Sequence, residues 1–347
     1  MKRAYCYTMI AVVSWASGPV GSKALLLAER HGLRLRPLQV AFWAIAVGWV
    51  ALLAVLAARG RLRWVRSLSL RGWLVVALMG FFGFAAYPVS INIAFTRLLL
   101  PDVLVVTNLS PVMVVIFQAS AFGAVVRLLS GWEQPADTSA RPSPIRIAAG
   151  LALCLLGVAI IATEGHLVAL GRVPSAAGAL AALFAAVAWG IYSNLGRFVA
   201  VRPGARTEGI ADLQTLLGMT FGLLAMAIWL TVTNELVLPS GYDALLHFGS
   251  LGSASVGAWP LIVSVGLINY CLGYTLWIAA LEVGHAAGGA HRLPALTYLT
   301  LVLAVALGWV LLRERFGPGF WQGTALIAAG NAVNLWRGRR ATASTIS

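Results

Sequence analysis

Aromatic and amide side chains that could bind a small molecule interrupt the long apolar runs of this sequence. Polar side chains in hydrocarbon are costly and usually face the interior of a helix bundle or a water-filled cavity. Ten residues are therefore candidates for lining a substrate cavity: Trp15, Tyr87, Asn92, Asn108, Trp189, Tyr192, Asn269, Tyr270, Tyr274 and His291. Because Tyr270 and Tyr274 are four residues apart, they share one helix face. An aromatic face beside an Asn suits an organic ligand with a flat apolar part and a hydrogen-bonding part. The alternative is that these residues only pack, or lie at the membrane interface.

Two similar stretches each end in a basic residue. VSWASGPVGSK ends at Lys23 and VAWGIYSNLGR ends at Arg197, with Trp15 and Trp189 eight residues before the charge. We predict that Lys23 and Arg197 lie at opposite mouths of the cavity and attract an anionic group. The simpler alternative is snorkelling, in which a long side chain reaches the lipid headgroups.

Four prolines lie inside apolar runs and are predicted to be kinks or hinges: Pro19, Pro88, Pro111 and Pro294. A proline in a helix removes one backbone donor and frees the carbonyl four residues earlier. In lipid that carbonyl needs a partner, so it is expected to face protein or cavity water. The bends either move during function or are static, and the sequence leaves both readings open.

Acidic residues are missing from the middle of every apolar run. Five of them fall at the ends of runs: Glu164, Asp212, Glu235, Glu282 and Glu314. Ion-coupled pumps usually carry an intramembrane carboxylate, so facilitated movement or exchange is expected rather than coupling through a buried acid. An unperturbed histidine changes its charge near neutral pH, so His291 is expected either to exchange protons with the cell interior or to be a hydrogen-bonded structural residue.

The composition is that of a membrane protein. Charged residues make up 10% of the chain and hydrophobic residues 60%, with a mean hydropathy of +0.87, whereas soluble domains are about 25% charged. A membrane helix needs about 20 mostly apolar residues. Ten runs of this kind, numbered as spans 1 to 10, predict an all-α integral membrane protein: 5–27, 38–58, 73–96, 102–126, 146–164, 175–199, 209–233, 259–281, 286–312 and 319–336.

The charge pattern sets the expected orientation and excludes some partners. The basic residues are concentrated in the segments on the side of the N-terminus, which predicts that both termini are cytoplasmic. The expected location is the bacterial inner membrane. The net charge of +14 comes from residues between apolar runs, which argues against nucleic-acid binding. The three cysteines lie far apart, so no metal site, disulfide or cofactor is expected.

The chain is predicted to be an internal duplication. Trp15 and Trp189 are 174 residues apart in a chain of 347, and a Gly-x6-Gly pattern occurs in span 5 and again in span 10. The predicted repeats cover 1–168 and 172–340, followed by a cytoplasmic tail at 341–347. Since five spans is an odd number, the repeats must be inverted relative to each other, as in many secondary transporters. A monomer is favoured, with Gly218 and Gly222 expected to serve internal packing.

These residues resemble the drug/metabolite transporter superfamily, EamA type, over nearly the whole chain. The resemblance is carried by WASGPVGSKALL, AAVAWGIYSNLGR and the run PALTYLTLVLAVALGWVLLRERFGPGFWQGTALIAAG at 294–330. It implies ten helices, cytoplasmic termini and a central substrate cavity between the repeats. The chain departs from the family pattern at Trp43, where many members have an Arg, and in its long loop at 131–144. The acid after span 9, Glu314, also has no counterpart after span 4.

The sequence therefore predicts a secondary transporter, not an enzyme, whose partners are a small-molecule substrate and the lipid bilayer. The expected substrates are small polar or amphipathic metabolites resembling amino acids, exported by alternating access between the repeats. The alternative is an integral-membrane transferase acting on lipid or prenyl substrates, although the chain has no DxxD and no paired His and Asp for that chemistry. A non-transporting membrane scaffold is a third reading. The chain has no GxxxxGK[ST] motif, so it does not itself hydrolyse ATP through a P-loop.

Overall fold

The computed structural model describes residues 2–110, 113, 116–117, 144–162, 175–195, 210–247, 252–286, 299–314 and 317–335. In these residues, helices occupy part or all of each of the ten predicted spans. Spans 1 to 5 contain the helices Lys2–Leu27, Pro37–Ala58, Leu70–Phe95, Leu100–Thr107 and Pro144–Ala162. Spans 6, 7, 9 and 10 contain Ala176–Leu195, Ile210–Val232, Leu299–Leu312 and Pro318–Leu335. Span 8 consists of three consecutive helical pieces, Ala258–Ser264, Val265–Gly273 and Tyr274–Ala286. The helix of span 3 is divided in the same way into Leu70–Met79, Gly80–Ala86 and Tyr87–Phe95.

Length and composition make six of the described helices long and apolar enough to cross a membrane, namely spans 1, 2, 3, 6, 7 and 8. Local signals set some helix ends. Pro37 occupies the first turn of span 2, where its missing N–H costs nothing. The Ser69 hydroxyl accepts a hydrogen bond from the Gly72 N–H at 3.0 Å and caps span 3.

The helices pack with twofold symmetry. Span 1 packs against spans 8 and 9, and span 6 packs in the same way against spans 3 and 4. Span 2 packs against span 8 as span 7 packs against span 3. Spans 2 and 7 also contact each other, as do spans 5 and 10. The protein is thus an all-α integral membrane protein built from two inverted five-helix repeats.

Glycines at matching positions make the same close contacts in both repeats. A Cβ added to Gly48 would lie 2.6 Å from the Tyr270 Cβ and 2.9 Å from the Gly266 carbonyl oxygen. A Cβ added to Gly222 would lie 2.6 Å from the Phe84 Cβ and 2.9 Å from the Gly80 carbonyl oxygen. Both glycines are therefore required by the close approach of two backbones.

The glycine pairs predicted to serve close packing in spans 5, 7 and 10 also make close contacts. A Cβ on Gly157 would lie 2.6 Å from the Gly323 carbonyl oxygen, so the Gly-x6-Gly segments of spans 5 and 10 do meet at close range. Gly218 and Gly222 both pack against Phe84 of span 3 in the same chain. This confirms their predicted role in internal packing.

Spans 3 and 8 each contain a π-helical segment, which sequence periodicity did not predict. The segments are Gly80–Ala86 and Val265–Gly273, and the offset of 186 that relates Gly80 to Gly266 makes them equivalent. Pro88 follows the first segment, but no proline lies within or shortly after the second. The repeated π-helix is thus a property of the fold rather than of one proline. Such segments are rare and occur frequently at functional sites.

A small antiparallel sheet covers the end of the bundle that the predicted orientation places outside. Strands β1 (Glu29–Arg30) and β2 (Leu33–Arg34) come from the loop between spans 1 and 2, and β3 (Asp243–His247) and β4 (Ser253–Gly257) from the loop between spans 7 and 8. The strand order is β2-β1-β3-β4. Side chains around β3 are buried against the helices, namely Tyr242, Ala244 and Leu246.

Candidate aromatic site between the repeats

Tyr274 is the centre of an aromatic cluster at the contact between the repeats. Its ring centroid lies 5.7 Å from that of Trp15, 5.6 Å from that of Phe84 and 6.4 Å from that of Trp189. It also stacks on Tyr270 at 6.2 Å with an interplanar angle of 11°. This stacking confirms the prediction that the two tyrosines share one helix face.

A second group of rings extends the cluster toward spans 3 and 6. The ring centroid of Trp189 lies 4.9 Å from that of Tyr87 and 5.2 Å from that of Tyr192. Tyr192 in turn meets Phe84 edge-on at 5.6 Å. Four different spans, 1, 3, 6 and 8, therefore supply one continuous set of rings, which we call the aromatic cluster. Trp277 continues it along span 8, at 5.6 Å from Trp15.

The π-helical segments position the cluster. Phe84 lies within the first segment and Tyr270 within the second, and Tyr274 follows the second directly. A π-helix advances each residue by a smaller angle than an α-helix, so it changes which side chains share a face. Phe84 is fully buried and was missed by the sequence reasoning. The repeat offset of 186 would have found it, because it relates Phe84 to Tyr270.

One polar atom in the cluster has no partner. The indole nitrogen of Trp15 is buried without a hydrogen bond, and it lies 2.8 Å from where a Cβ on Gly273 would be. An unpaired buried donor is costly. The other polar groups of the cluster are the indole N–H groups of its remaining tryptophans and the hydroxyls of four tyrosines, Tyr87, Tyr192, Tyr270 and Tyr274. The arrangement can stack flat rings and donate hydrogen bonds to an acceptor.

The predicted asparagines lie outside the cluster. Asn92 is buried and donates a hydrogen bond to the Pro37 carbonyl at 3.1 Å, which ties span 3 to the start of span 2. Asn108 donates to the Leu104 carbonyl one turn earlier, at 2.7 Å. The Asn269 side chain packs against the backbone of Gly18. The structure thus brings the aromatic candidates together and assigns backbone contacts to the amides.

Lys23 does not reach the lipid headgroups. Its side chain is buried, forms an ion pair with Glu314 and donates to the Leu98 carbonyl at 2.8 Å. Glu314 also accepts a hydrogen bond from the Leu100 N–H at 2.5 Å. The snorkelling reading of Lys23 is therefore wrong, because a protein carboxylate neutralises the charge inside the bundle. Its role at the mouth of the cavity stays a prediction.

The remaining candidates divide into two groups. Span 1 continues as one helix through Pro19, and Pro88 lies in the first turn of the helix after the π-segment of span 3. Four predicted residues lie outside the described residues: Arg197, His291, Pro111 and Pro294. Their predicted roles therefore stay predictions.

Comparison with known proteins identifies the family. A model of the EamA-like transporter family matches residues 2–131 and 176–336. The chain belongs to the EamA-like transporter family. It is accordingly a multi-pass membrane protein of the drug/metabolite transporter type, as the resemblance implied. A crystal structure of a protein described without a function covers 96% of this chain and 97% of its own, with a TM-score of 0.54 and 21% identity, and supports the fold alone. No curated protein matches the chain significantly.

Proposed function

We propose that this EamA-like transporter carries small amphipathic metabolites resembling amino acids, with a flat ring as the part that it recognises best. The observation that carries the proposal is the aromatic cluster, to which both repeats contribute. Offset-stacked and edge-on aromatic contacts are favourable at centroid separations of 4.5–7 Å. When a planar substrate enters between these rings, contacts among the protein's own rings would be replaced by contacts between those rings and the substrate.

The twofold packing supports alternating access as the mechanism. The contacts of Gly48 with span 8 repeat those of Gly222 with span 3. Exchanging the conformations of the two repeats would therefore give a second state of similar energy that is open to the other side. The cluster lies where the repeats meet, so a bound substrate would be exposed first to one side and then to the other.

Export and the location in the bacterial inner membrane are part of the proposal. We expect both termini to be cytoplasmic, with the loop between spans 2 and 3 inside and the β-sheet outside. Single cysteines at Arg66 and Ser253, both exposed, would test this in intact cells with a membrane-impermeant maleimide. Only the cysteine at position 253 should react; reaction of both would overturn the orientation.

Binding and flux test the substrate class. Purified protein in detergent is screened by thermal shift with amphipathic compounds that share a polar group and differ in having or lacking a planar ring, because a ligand that binds the folded state raises the Tm. Ring compounds should give the larger shifts. The best binder is then loaded, radiolabelled, into proteoliposomes to measure its transport.

A matched pair of variants links the signal to the cluster. Tyr274→Ala should abolish both the thermal shift and the transport, because it removes the central ring. Phe81→Ala should leave them unchanged, since Phe81 lies outside the cluster and is 48% exposed on the bundle surface. Equal shifts with ringless analogues, or full transport by Tyr274→Ala, would reject the proposed substrate class.

The integral-membrane transferase is not favoured. The family that matches most of the chain consists of transporters. Within the described part of the chain, no group of three or more His, Cys, Asp or Glu residues lies together. The proposal therefore follows the family and the aromatic cluster.

A further inference from the structure

The buried pair of Lys23 and Glu314 joins three separate parts of the bundle. Lys23 belongs to span 1, and Glu314 follows the last turn of span 9. The Leu98 carbonyl belongs to the connection between spans 3 and 4, the Leu100 N–H begins the helix of span 4, and each makes a hydrogen bond to one member of the pair. Both charged side chains are less than a tenth exposed. All these groups lie at the end of the bundle that carries the β-sheet.

Two other ion pairs join a single pair of helices, those of spans 2 and 7. Arg36 pairs with Glu235 at the outer ends of spans 2 and 7, and Arg61 pairs with Asp212 at their inner ends. The repeat offset of 174 relates position 61 to position 235 and brings position 36 to within two residues of Asp212, so the two pairs lie at nearly equivalent places with their charges exchanged. The helices of spans 2 and 7 are thus joined by an ion pair at each end. They cannot separate on either side of the membrane without losing one of these ion pairs.

We infer that the Lys23–Glu314 pair is the lock of an outer gate. It breaks when the transporter opens outward, whereas the pairs between spans 2 and 7 remain closed in both states. The inference rests on the alternating-access part of the proposed function. The structure then corresponds to the outwardly closed state, in which the path from outside to the aromatic cluster is closed above Trp15.

The physical chemistry of a buried pair suits a two-state lock. Separating the partners without replacing them leaves two uncompensated charges in a low-dielectric environment, which is strongly unfavourable. The pair is therefore either made or fully released to water, and intermediate separations are disfavoured. The β-sheet reinforces the closed state, because β3 packs against both span 1, which carries Lys23, and span 9, which Glu314 follows.

Accessibility of a cysteine below the lock tests the inference without a known substrate. Ala16 is 1% exposed and lies seven residues, about two helical turns, before Lys23 on the same face of span 1. In a background without the native cysteines, Ala16→Cys is treated in intact cells with a membrane-impermeant maleimide. Glu314→Gln should raise the labelling rate by about tenfold or more, because the outwardly open population increases.

Glu235→Gln is the matched control, since it makes the same chemical change at the outer end of spans 2 and 7. It should leave the labelling rate of Ala16→Cys unchanged. An unchanged rate in Glu314→Gln at normal membrane levels, or an equal increase in Glu235→Gln, would overturn the inference.

A neutral double variant decides the case in which Glu314→Gln fails to reach the membrane. Lys23→Gln/Glu314→Gln leaves no unpaired charge in the bundle, so it should fold and should be labelled faster than the parent. Labelling as slow as that of the parent would show that the ion pair does not close the path. Because none of these measurements needs transport, a failed substrate screen would leave them interpretable, and a failed labelling experiment would leave the substrate class untouched.

Discussion

The repeats meet at two equivalent interfaces, one between spans 1 and 8 and the other between spans 6 and 3. The backbones of the two interfaces match, but their side chains differ. Trp15 packs on Gly273, whereas its counterpart Trp189 packs on the ring of Tyr87. The offsets of 174 and 186 make Tyr87 the counterpart of Gly273. The first interface therefore has a glycine where the second has an aromatic ring.

The same exchange of large and small residues occurs one turn away. Gly18 accommodates the side chain of Asn269, and at the equivalent contact Gly83 accommodates the ring of Tyr192. The small residue is on span 1 in one interface and on span 3 in the other. The backbone spacing is thus preserved while the side chains that line each interface change.

This difference separates two requirements on the sequence. Exchange of states needs similar backbone packing in both repeats, and the glycine contacts of spans 2, 3, 7 and 8 provide it. Recognition of a substrate needs no symmetry, and the two interfaces place different side chains at equivalent positions. Four substitution experiments test whether the two interfaces differ in this way.

The largest effect is expected from the shared glycine contacts. Gly222→Leu would drive a side chain into Phe84 and the Gly80 backbone, with a loss of about 3 kcal/mol or more in the free energy of unfolding. Gly48→Leu should cost a similar amount, because its surroundings are equivalent. Gly317→Ala is the control, since a Cβ there meets no atom within 4 Å. Thermal unfolding in detergent measures all three, and a large difference between Gly48 and Gly222 would contradict the symmetry.

The two tryptophans should contribute unequally to binding. Trp189 contacts the rings of Tyr87, Tyr192 and Tyr274, whereas Trp15 contacts those of Tyr274 and Trp277. Trp189→Ala is expected to weaken substrate binding by about 2 kcal/mol, as for a central aromatic contact, and Trp15→Ala by less. Ligand titrations followed by thermal shift measure both. Equal losses would indicate that the side-chain asymmetry has no role in recognition.

The exchanged pairs should each show coupling. Gly83→Ala places a Cβ against the Tyr192 ring, and Tyr192→Ala removes that ring, so the double variant should recover part of the loss. The expected coupling free energy is about 1 kcal/mol. Gly18→Ala combined with Asn269→Ala provides the matched cycle at the other interface. Additive effects in both cycles would show that these contacts are not tight in the membrane.

The smallest effects are expected at the exposed ion pair. Arg36 is 60% exposed, so Arg36→Gln should change the free energy of unfolding by less than about 1 kcal/mol. Arg61→Gln should cost more, because its partner Asp212 is only 6% exposed and loses the cation that compensates its charge. Thermal unfolding in detergent compares the two variants. The reverse order would mean that water reaches Asp212 freely.

Much of the fold could be predicted because hydropathy is local. An apolar run of about 20 residues can span the bilayer whatever surrounds it, and the described helices fall on all ten predicted runs. The face shared by Tyr270 and Tyr274 also depended only on their spacing. The division at 168–172 is a prediction that the structure does not test.

The roles of Asn92 and Lys23 could not be predicted in the same way, because their partners are distant in the sequence. Asn92 met a carbonyl of span 2, and Lys23 met a carboxylate beyond span 9. The predicted orientation placed both Lys23 and Glu314 on the outer side, so topology could have suggested the pair. Composition alone could not, because a buried lysine is stabilised by one specific neighbour.

By itself the sequence determined that the chain lies in a membrane, that it is an inverted duplication, and which aromatic residues are available. The tertiary structure decided which rings meet, where the π-helical segments are, and which carboxylate neutralises Lys23. The physical reason is range: transfer of a helix into lipid is a sum over its own residues, whereas ring stacking, close backbone approach and ion pairing depend on atoms that different spans bring together.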